Sequence, residues 1–173
     1  EILKLGETLR KLTADAGVAL VVNDRPDLAR LIEADGCHVG QEDITPEAAR
    51  KVLRPDQALG VSTHNLDQAR CAMQSGADYI GVGPIFPTTT RGYSEGVGAA
   101  CLKQASEAVP LPLVAIGGIT PATAGGVILA GPEGRTCIAV CSAILGADDP
   151  RAATAAFRQA IAAAVDASPP GGI

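Results

Sequence analysis

Short apolar runs alternate with amphipathic stretches along most of the chain. The apolar runs are rich in Val and Ile and end in Gly or in polar residues, which is typical of buried strands. The stretches between them place apolar residues on one face of a helix, as Ile2, Leu5, Leu9 and Leu12 do in the first one. Because strands and helices alternate, the pattern predicts an α/β fold with a parallel sheet.

The pattern predicts six strands and seven helices. The strands cover residues 18–23, 36–40, 58–62, 79–85, 113–117 and 137–143. The helices cover residues 2–16, 26–34, 46–53, 66–75, 99–108, 121–130 and 150–165. Thr45 and Pro46 form a typical helix start, and Gly76 and Gly131 stand where helices end.

Strict alternation leaves two architectures, an open doubly wound sheet or a closed (β/α)8 barrel. No G-x-G-x-x-G motif follows the first strand, so the dinucleotide-binding sheet is not supported. Polar residues follow nearly every strand, which favours a (β/α)8 TIM-type barrel with its site at the C-terminal ends of the strands. Since six strands are too few, we expect an N-terminal β-α-β unit upstream of Glu1. Residues 1–166 would then belong to one barrel domain, and residues 167–173 would form a flexible tail.

Composition narrows the classes of partner. Aromatic residues make up only 2% of the chain and Lys and Arg do not cluster, so neither base stacking nor a duplex-binding surface is expected. The net charge is −5, so an anionic substrate must be held by local cations, a metal ion or helix N-termini. Neither a signal peptide nor a long apolar run is present, and we expect a cytoplasmic protein with no membrane partner. The sequence leaves open whether the chain forms a homo-oligomer.

The cysteines show no C-x-x-C spacing. We therefore expect small buried hydrophobes in a reducing compartment. The five residues are Cys37, Cys71, Cys101, Cys137 and Cys141.

Two carboxylates follow the first two strands. Asn23-Asp24-Arg25 ends the first strand, and Asp43 lies in the loop after the second. Carboxylate oxygens at neighbouring strand ends suit Mg²⁺, which usually takes one or two carboxylates together with substrate phosphates. The alternative is that Asp24 is a turn residue and Asp43 a solvated acid.

Two later loops are candidates for phosphate binding. Gly117-Gly118-Ile119-Thr120-Pro121 leads from a strand into a helix, and Cys141-Ser142-Ala143 follows the last strand. Glycine backbone and helix N-termini favour anions, and barrels often bind phosphate after their last two strands. Ordinary turn chemistry, with Thr120 as an N-cap, explains the first loop equally well.

The loop after the fourth strand offers two hydroxyls and a fork-shaped cation, Thr88, Thr90 and Arg91. Such groups suit an oxyanion-rich leaving group, although a solvated loop fits the residues equally well. His38 and His64 are weaker candidates for proton transfer. His38 lies inside a predicted strand and fits a hydrogen-bonded core residue, and Tyr79 and Phe86 fit packing roles.

Six motifs in order resemble the thiamine-phosphate synthase family, also called thiamine-phosphate pyrophosphorylase. They are V-V-N-D-R-P-D-L-A, A-D-G-C-H-V-G-Q-E-D, G-V-S-T-H, A-D-Y-I-G-V-G-P-I-F-P-T-T-T, V-A-I-G-G-I-T-P and V-C-S-A-I, spread over about residues 2–165. The resemblance implies a (β/α)8 barrel that joins a hydroxymethylpyrimidine diphosphate to a thiazole phosphate. The products would be thiamine monophosphate and pyrophosphate, with Mg²⁺ required.

The resemblance also implies roles for individual residues. Asp24 and Asp43 would be the metal ligands. Asn23 and Arg91 would contact the diphosphate, and Ser62 would lie near the pyrimidine and diphosphate. The thiazole phosphate side would be formed by Thr88, Thr90, Gly118, Cys141 and Ser142. The catalytic set would be Asn23, Ser62 and Arg91.

Two alternatives stay open. A thiazole tautomerase-like enzyme would bind the same thiazole phosphate without coupling it, and would not need Asn23 or the Asp24/Asp43 pair. A non-catalytic thiazole-phosphate-binding module is the second. It fits a chain that carries Arg91 where the family usually has Lys, and that lacks the family's second strand with its Gln/Arg/Lys cluster.

Overall fold

The structure is a computed structural model that describes residues 1–90 and 94–167. Its strands are β1 (Val21–Asn23), β2 (Gly36–Val39), β3 (Ala58–Thr63), β4 (Tyr79–Val82), β5 (Leu113–Ile116) and β6 (Thr136–Ala139). Its helices are α1 (Ile2–Asp15), α2 (Pro26–Leu31), α3 (Pro46–Val52), α4 (Leu66–Gln74), α5 (Ala100–Ala108), α6 (Pro121–Ala130), α7 (Ser142–Leu145) and α8 (Pro150–Asp166). None of these helices is both long and apolar enough to cross a membrane.

The α/β prediction is confirmed. The strands follow one another in the order β1-β2-β3-β4-β5-β6, and the registers of β1 with β2, β2 with β3 and β5 with β6 are parallel. Six strands are present among the described residues, where a closed (β/α)8 barrel has eight. The predicted tail falls at residues 167–173, of which 168–173 lie outside the described residues.

The described chain forms two compact units. The first contains residues 1–63 and 67–80, and the second contains residues 64–66 and the chain from Gly81 onward. The first unit has an aliphatic core, with Val39, Ala49 and Leu59 fully buried. The core of the second unit includes Leu113, Ala115 and the aromatic residue Phe157. A mainly aliphatic core agrees with the scarcity of aromatic residues in the chain.

Helix α1 is held by a different face from the one its leucines share. Arg10 Nη1 donates to Asp35 Oδ2 at 2.9 Å, and a Cβ on Gly6 would lie 2.9 Å from the side chain of Ile32. Glycine at this position therefore allows α1 to approach Ile32. The leucine face stays exposed, and no residue of α1 is buried.

The same arrangement of hydrogen bonds to an aspartate is found at the start of both β2 and β4. The residue before each strand is an Asp, and its carboxylate accepts from a backbone N–H at the start of the preceding strand and from an arginine. Asp35 Oδ2 accepts from Leu20 N at 2.6 Å and from Arg10 Nη1 at 2.9 Å. Asp78 Oδ2 accepts from Leu59 N at 2.7 Å and from Arg50 Nη2 at 2.5 Å.

The backbone around Asp35 and Asp78 also follows one pattern. The Asp35 N–H donates to Leu20 O at 2.9 Å, and the Asp78 N–H donates to Leu59 O at 2.8 Å. Two residues before each Asp the chain turns with a positive φ, at Glu33 (54°) and Gly76 (82°). Each aspartate therefore forms two hydrogen bonds, one as donor and one as acceptor, with a single residue at or next to the start of the preceding strand.

Several boundaries differ from the prediction. Helix α2 ends at Leu31 rather than at residue 34. Strand β1 begins at Val21 rather than at residue 18, because pairing with β2 starts at Val21 opposite Gly36. Strand β4 ends at Val82, just before the Gly83–Pro84 bond, where proline has no N–H to donate. The run 137–143 was predicted as one strand, but Ser142–Leu145 is helical.

Candidate functional site

In the first unit, Asn23 and Asp24 stand where β1 ends. Asn23 is the last residue of the strand and is exposed. Asp24 adopts a left-handed backbone with a φ of 63°, and its N–H donates to His38 O at 2.8 Å. Asp tolerates this conformation better than most residues. The turn reading of Asp24 is therefore right about the backbone, and it leaves a role for the carboxylate open.

Asp43 lies in the loop after β2 and is half-buried. Its Oδ2 accepts from Gly40 N at 2.8 Å, and a Cβ on Gly40 would lie 2.9 Å from that same oxygen. The loop therefore folds back on itself and holds the Asp43 carboxylate close to the end of β2.

The charges of the Asp24 and Asp43 carboxylates both influence the pKa of Cys37. The pKa of the Cys37 thiol is raised to about 11, mainly by burial and to a smaller extent by the charges of Asp24, Asp27 and Asp43, while a hydrogen bond with the backbone of Arg25 opposes the shift. Cys37 lies on β2, so both Asp24 and Asp43 place negative charge near this strand. No group of three or more His, Cys, Asp or Glu side chains suited to a metal ion exists within residues 1–90 and 94–167.

Arg25, which follows Asp24, forms an ion pair with Asp27. Its Nε and Nη2 donate to the two carboxylate oxygens of Asp27 at 2.8 and 2.6 Å. The hydrogen bond from Arg25 lowers the pKa of Asp27 to about 2. This self-contained pair makes Arg25 a poor candidate for binding an anion.

Ser62 lies on β3 at the centre of a polar network. Its Oγ is 2.8 Å from His38 Nε2, and the other ring nitrogen, Nδ1, is 3.1 Å from the hydroxyl of Tyr79. The Ser62 carbonyl accepts from Gln41 Nε2 at 2.5 Å. His38 is thus a half-buried, hydrogen-bonded residue of a strand, as its interpretation as a hydrogen-bonded residue predicted.

The sequence did not identify Tyr79 or Gln41 as part of this network. The missing information is which strands are neighbours and in what register, because residues 38, 62 and 79 are distant in sequence. One signal was present: His38 is a polar residue within an otherwise buried strand, and such a residue needs a partner.

The second unit contains the glycine loop after β5. Gly117 and Gly118 have positive φ values of 100° and 62°. A Cβ on Gly117 would lie 2.6 Å from Pro84 Cβ, and one on Gly118 would lie 2.5 Å from Pro87 O. Both glycines are therefore required by close packing against residues 84–87, an explanation that the sequence did not suggest.

The helix after this loop starts as predicted. The Thr123 hydroxyl accepts from the Thr120 N–H at 3.0 Å, and Pro121 occupies the first turn of α6. Ordinary capping therefore explains Thr120 and Pro121. A phosphate-binding role for Gly118 remains a prediction.

The other candidates of the second unit lie on exposed loops. The Thr88 and Thr90 hydroxyls are 3.4 Å apart, with Thr88 half-buried and Thr90 exposed. Cys141 and Ser142 are exposed at the start of the four-residue helix α7. Arg91 lies outside the described residues. His64 Nδ1 lies 2.5 Å from the carbonyl oxygen of Gly83, and a role for His64 in proton transfer remains a prediction.

The prediction of buried cysteines is mostly wrong. Cys37 is buried and Cys101 is half-buried, but Cys71, Cys137 and Cys141 are exposed. Their apolar sequence context did not predict which way each side chain faces. All five thiols are free, as the absence of C-x-x-C spacing suggested.

Residues 1–144 match the family described as thiamine monophosphate synthase. The thiamine-phosphate synthase of Moorella thermoacetica is 46% identical over 162 residues, covering 93% of this chain and 76% of that protein. The enzyme of the same name from Chloroflexus aurantiacus is 49% identical over 152 residues, covering 87% of this chain and 67% of that protein.

A solved structure agrees with the sequence relatives. The thiamine phosphate pyrophosphorylase from Pyrococcus furiosus superposes with a TM-score of 0.82 at 36% identity, covering 94% of this chain and 77% of that chain. These similarities extend over nearly all of the described residues. The chain belongs to the thiamine monophosphate synthase family.

Proposed function

We propose that this chain is a thiamine-phosphate synthase, a transferase of thiamine biosynthesis. It couples 4-amino-5-hydroxymethyl-2-methylpyrimidine diphosphate to 4-methyl-5-(2-phosphoethyl)thiazole, giving thiamine monophosphate and pyrophosphate. The observation that carries the proposal is family membership in a chain that keeps Asn23, Asp24 and Asp43 at the ends of neighbouring strands. A tautomerase-like enzyme or a simple binding module has no need of that set.

The two carboxylates fit Mg²⁺ by their chemistry. Both offer hard oxygen donors, and both lie near enough to Cys37 on β2 for their charges to add to the effect of burial on its pKa. Two protein carboxylates are enough where the substrate phosphates supply further ligands. Asp24 and Asp43 would hold the ion, which when bound neutralises negative charge on the diphosphate.

The rest of the first unit's contribution is hydrogen bonding to the diphosphate. The C–O bond of the pyrimidine diphosphate breaks, and its electron pair leaves with pyrophosphate. The Asn23 amide and the Ser62 hydroxyl donate to the phosphate oxygens, which gain charge as this bond breaks. Arg91, which the resemblance also assigns to the diphosphate, lies outside the described residues.

The second unit would bind the thiazole phosphate. Thr88 and Thr90 supply hydroxyl donors, and the backbone N–H groups of Gly118, Cys141 and Ser142 supply further donors to a phosphate. The thiazole nitrogen is itself the nucleophile and forms the new C–N bond. The protein therefore needs no nucleophilic side chain, which agrees with a site rich in Asp, Ser and Thr.

The remaining predictions concern the closure of the barrel, the substrates, the location and the assembly. A closed (β/α)8 barrel is supported by the superposition on the Pyrococcus furiosus structure. Small-molecule substrates fit the acidic, aromatic-poor composition. The cytoplasmic location and a homo-oligomeric state remain predictions.

A coupling assay tests this function. The purified protein is mixed with both substrates and MgCl₂, and thiamine phosphate and pyrophosphate are measured together. We expect equal amounts of both products, and loss of both on addition of EDTA. Binding of the thiazole phosphate without formation of either product would overturn the synthase function and leave the tautomerase-like enzyme and the binding module as the alternatives.

A further inference from the structure

A row of three hydrogen-bonded side chains crosses β4, β2 and β3 of the first unit. The Tyr79 hydroxyl lies 3.1 Å from His38 Nδ1, and His38 Nε2 lies 2.8 Å from Ser62 Oγ. All three residues are half-buried. Water therefore competes less for these bonds than it would at the surface.

The packing around Gly60 leaves room for this row. A Cβ at Gly60 would lie 2.1 Å from Tyr79 Cζ and 2.4 Å from His38 Nδ1. Because residues two apart on a strand share a face, Gly60 and Ser62 face the same side of β3. Strand β3 thus carries no side chain at Gly60, where His38 contacts Tyr79. Two residues later it places the Ser62 hydroxyl next to His38.

The chemistry of a neutral imidazole gives the row a direction. One ring nitrogen carries a proton and donates, and the other accepts. If Nε2 carries the proton, it donates to Ser62 Oγ, and the Tyr79 hydroxyl donates to Nδ1. If Nδ1 carries the proton, it donates to Tyr79, and the Ser62 hydroxyl donates to Nε2. Only the first arrangement leaves the Ser62 hydroxyl proton for a ligand.

We propose that Tyr79 and His38 are positioning residues that present the Ser62 hydroxyl as a hydrogen-bond donor to the diphosphate group. The inference rests on the function proposed above. Phosphate oxygens are acceptors, so an anion beside Ser62 favours the arrangement in which Tyr79 donates to His38 and His38 donates to Ser62. Tyr79 then acts on the ligand through two other side chains without touching it.

Binding of inorganic pyrophosphate, in the presence of MgCl₂, tests the proposal without turnover. Calorimetry on the full chain gives the affinity. We expect Tyr79→Phe, which removes only the hydroxyl, to weaken binding about three- to tenfold, the usual effect of losing one neutral hydrogen bond. Ser106→Ala on α5 removes a hydroxyl that bonds to Lys103 O and is the matched control, with unchanged affinity.

The state of the His38 ring is a readout that a purely structural role would not move. Nitrogen-15 NMR of histidine-labelled protein distinguishes the two neutral tautomers. The sequence has two histidines, so His64→Gln identifies the His38 signals. We expect pyrophosphate to shift His38 toward the form protonated on Nε2, and Tyr79→Phe to reduce that shift.

A pair of His38 variants separates positioning from packing. Glutamine can place an amide near the position of Nε2, and asparagine can place one near Nδ1. We expect His38→Gln to bind pyrophosphate more tightly than His38→Asn, because only glutamine can still donate to Ser62. Equal affinities in the two variants would overturn the proposal, and so would a His38 ring protonated on Nδ1 when pyrophosphate is bound.

Failure of this inference can be told apart from failure of the proposed function. If the protein couples the two substrates but Tyr79→Phe binds pyrophosphate as tightly as the unaltered protein, the positioning role is wrong and the synthase function stands. If it does not couple them but pyrophosphate shifts the His38 tautomer as expected, the synthase function is wrong and the positioning role stands.

Discussion

The carboxylates at the two ends of the first unit's strands are used differently. At the N-terminal ends, Asp35 and Asp78 each accept from a strand N–H and from an arginine. At the C-terminal ends, Asp43 accepts from Gly40 N and takes part in no ion pair with the residues that the structure describes. The comparison teaches that Asp35 and Asp78 link neighbouring strands, whereas the Asp43 carboxylate is bound within its own loop. In the function proposed above, the C-terminal end is the one that binds the ligand, as in parallel α/β enzymes.

The strongest test of this comparison removes charge at the C-terminal end. We expect Asp24→Asn and Asp43→Asn each to lower kcat/KM about 100-fold or more, since each removes charge expected to hold the metal ion. Asparagine also tolerates the left-handed backbone of residue 24, so the folded state should persist. Steady-state coupling rates over a range of MgCl₂ concentrations measure the effect.

Asp56→Asn is the matched control for this pair. Asp56 pairs with Arg54 at the surface, with Nε to Oδ1 at 3.4 Å, and we expect its loss to leave the rate unchanged. Full activity in both Asp24→Asn and Asp43→Asn would contradict the metal assignment.

The second test removes a link at the N-terminal end. Asp78→Ala leaves the backbone N–H of the buried Leu59 and the guanidinium of Arg50 without this acceptor. We expect a loss of about 1–2 kcal/mol in the free energy of unfolding, because the half-exposed site allows water to replace part of the interaction. Urea unfolding curves measure the loss, and activity per folded molecule should not change.

Asp67→Ala serves as the comparison for that variant. Asp67 pairs with Arg70 within α4 and is 93% exposed, so its removal should have little effect on stability. A drop in activity of Asp78→Ala without a loss of stability would mean that the two ends are not specialised as described.

The smallest expected effect concerns the Arg25–Asp27 pair. The pKa of Asp27 is lowered to about 2 in the folded state, below its value of roughly 3.9 in the unfolded chain. The ionised Asp27 therefore stabilises the fold above about pH 4, and this contribution to stability is lost as the pH falls from about 4 to 2. The pair is exposed, so we expect a change in Tm of about 2 °C or less. Thermal melts of Asp27→Asn against pH should lack this component. An identical pH dependence in both proteins would show that the pair is not formed in solution.

Helix α6 shows what the sequence could predict. Thr120, Pro121 and Gly131 mark its ends, and the helix covers Pro121–Ala130 as predicted. The last strand shows the opposite case. Residues 137–143 are almost uniformly small and apolar, so no change of period marks the point where β6 ends and α7 begins.

The candidate site divides in a similar way. Polar residues where the first strand ends made Asn23 and Asp24 candidates, because their position relative to a strand end is a local property, whereas Ser62 became a candidate through the resemblance to a family. The contacts of Ser62 with His38 and of His38 with Tyr79 depend on strand order and register, which no local pattern contains. The packing of Gly117 and Gly118 against residues 84–87 is another contact between distant segments.

The aspartates that precede β2 and β4 have a consequence for how accurately the strands are aligned. Each binds the N–H and the C=O of one residue, Leu20 for Asp35 and Leu59 for Asp78. A slip by one residue would turn the carboxylate to the other face of the sheet and break the link. The links thus fix how far each strand extends relative to the strand before it. They also fix the positions of Asp24, His38 and Ser62 along the strand direction. These three residues lie toward the C-terminal ends of the strands, whereas the links are made at the N-terminal ends.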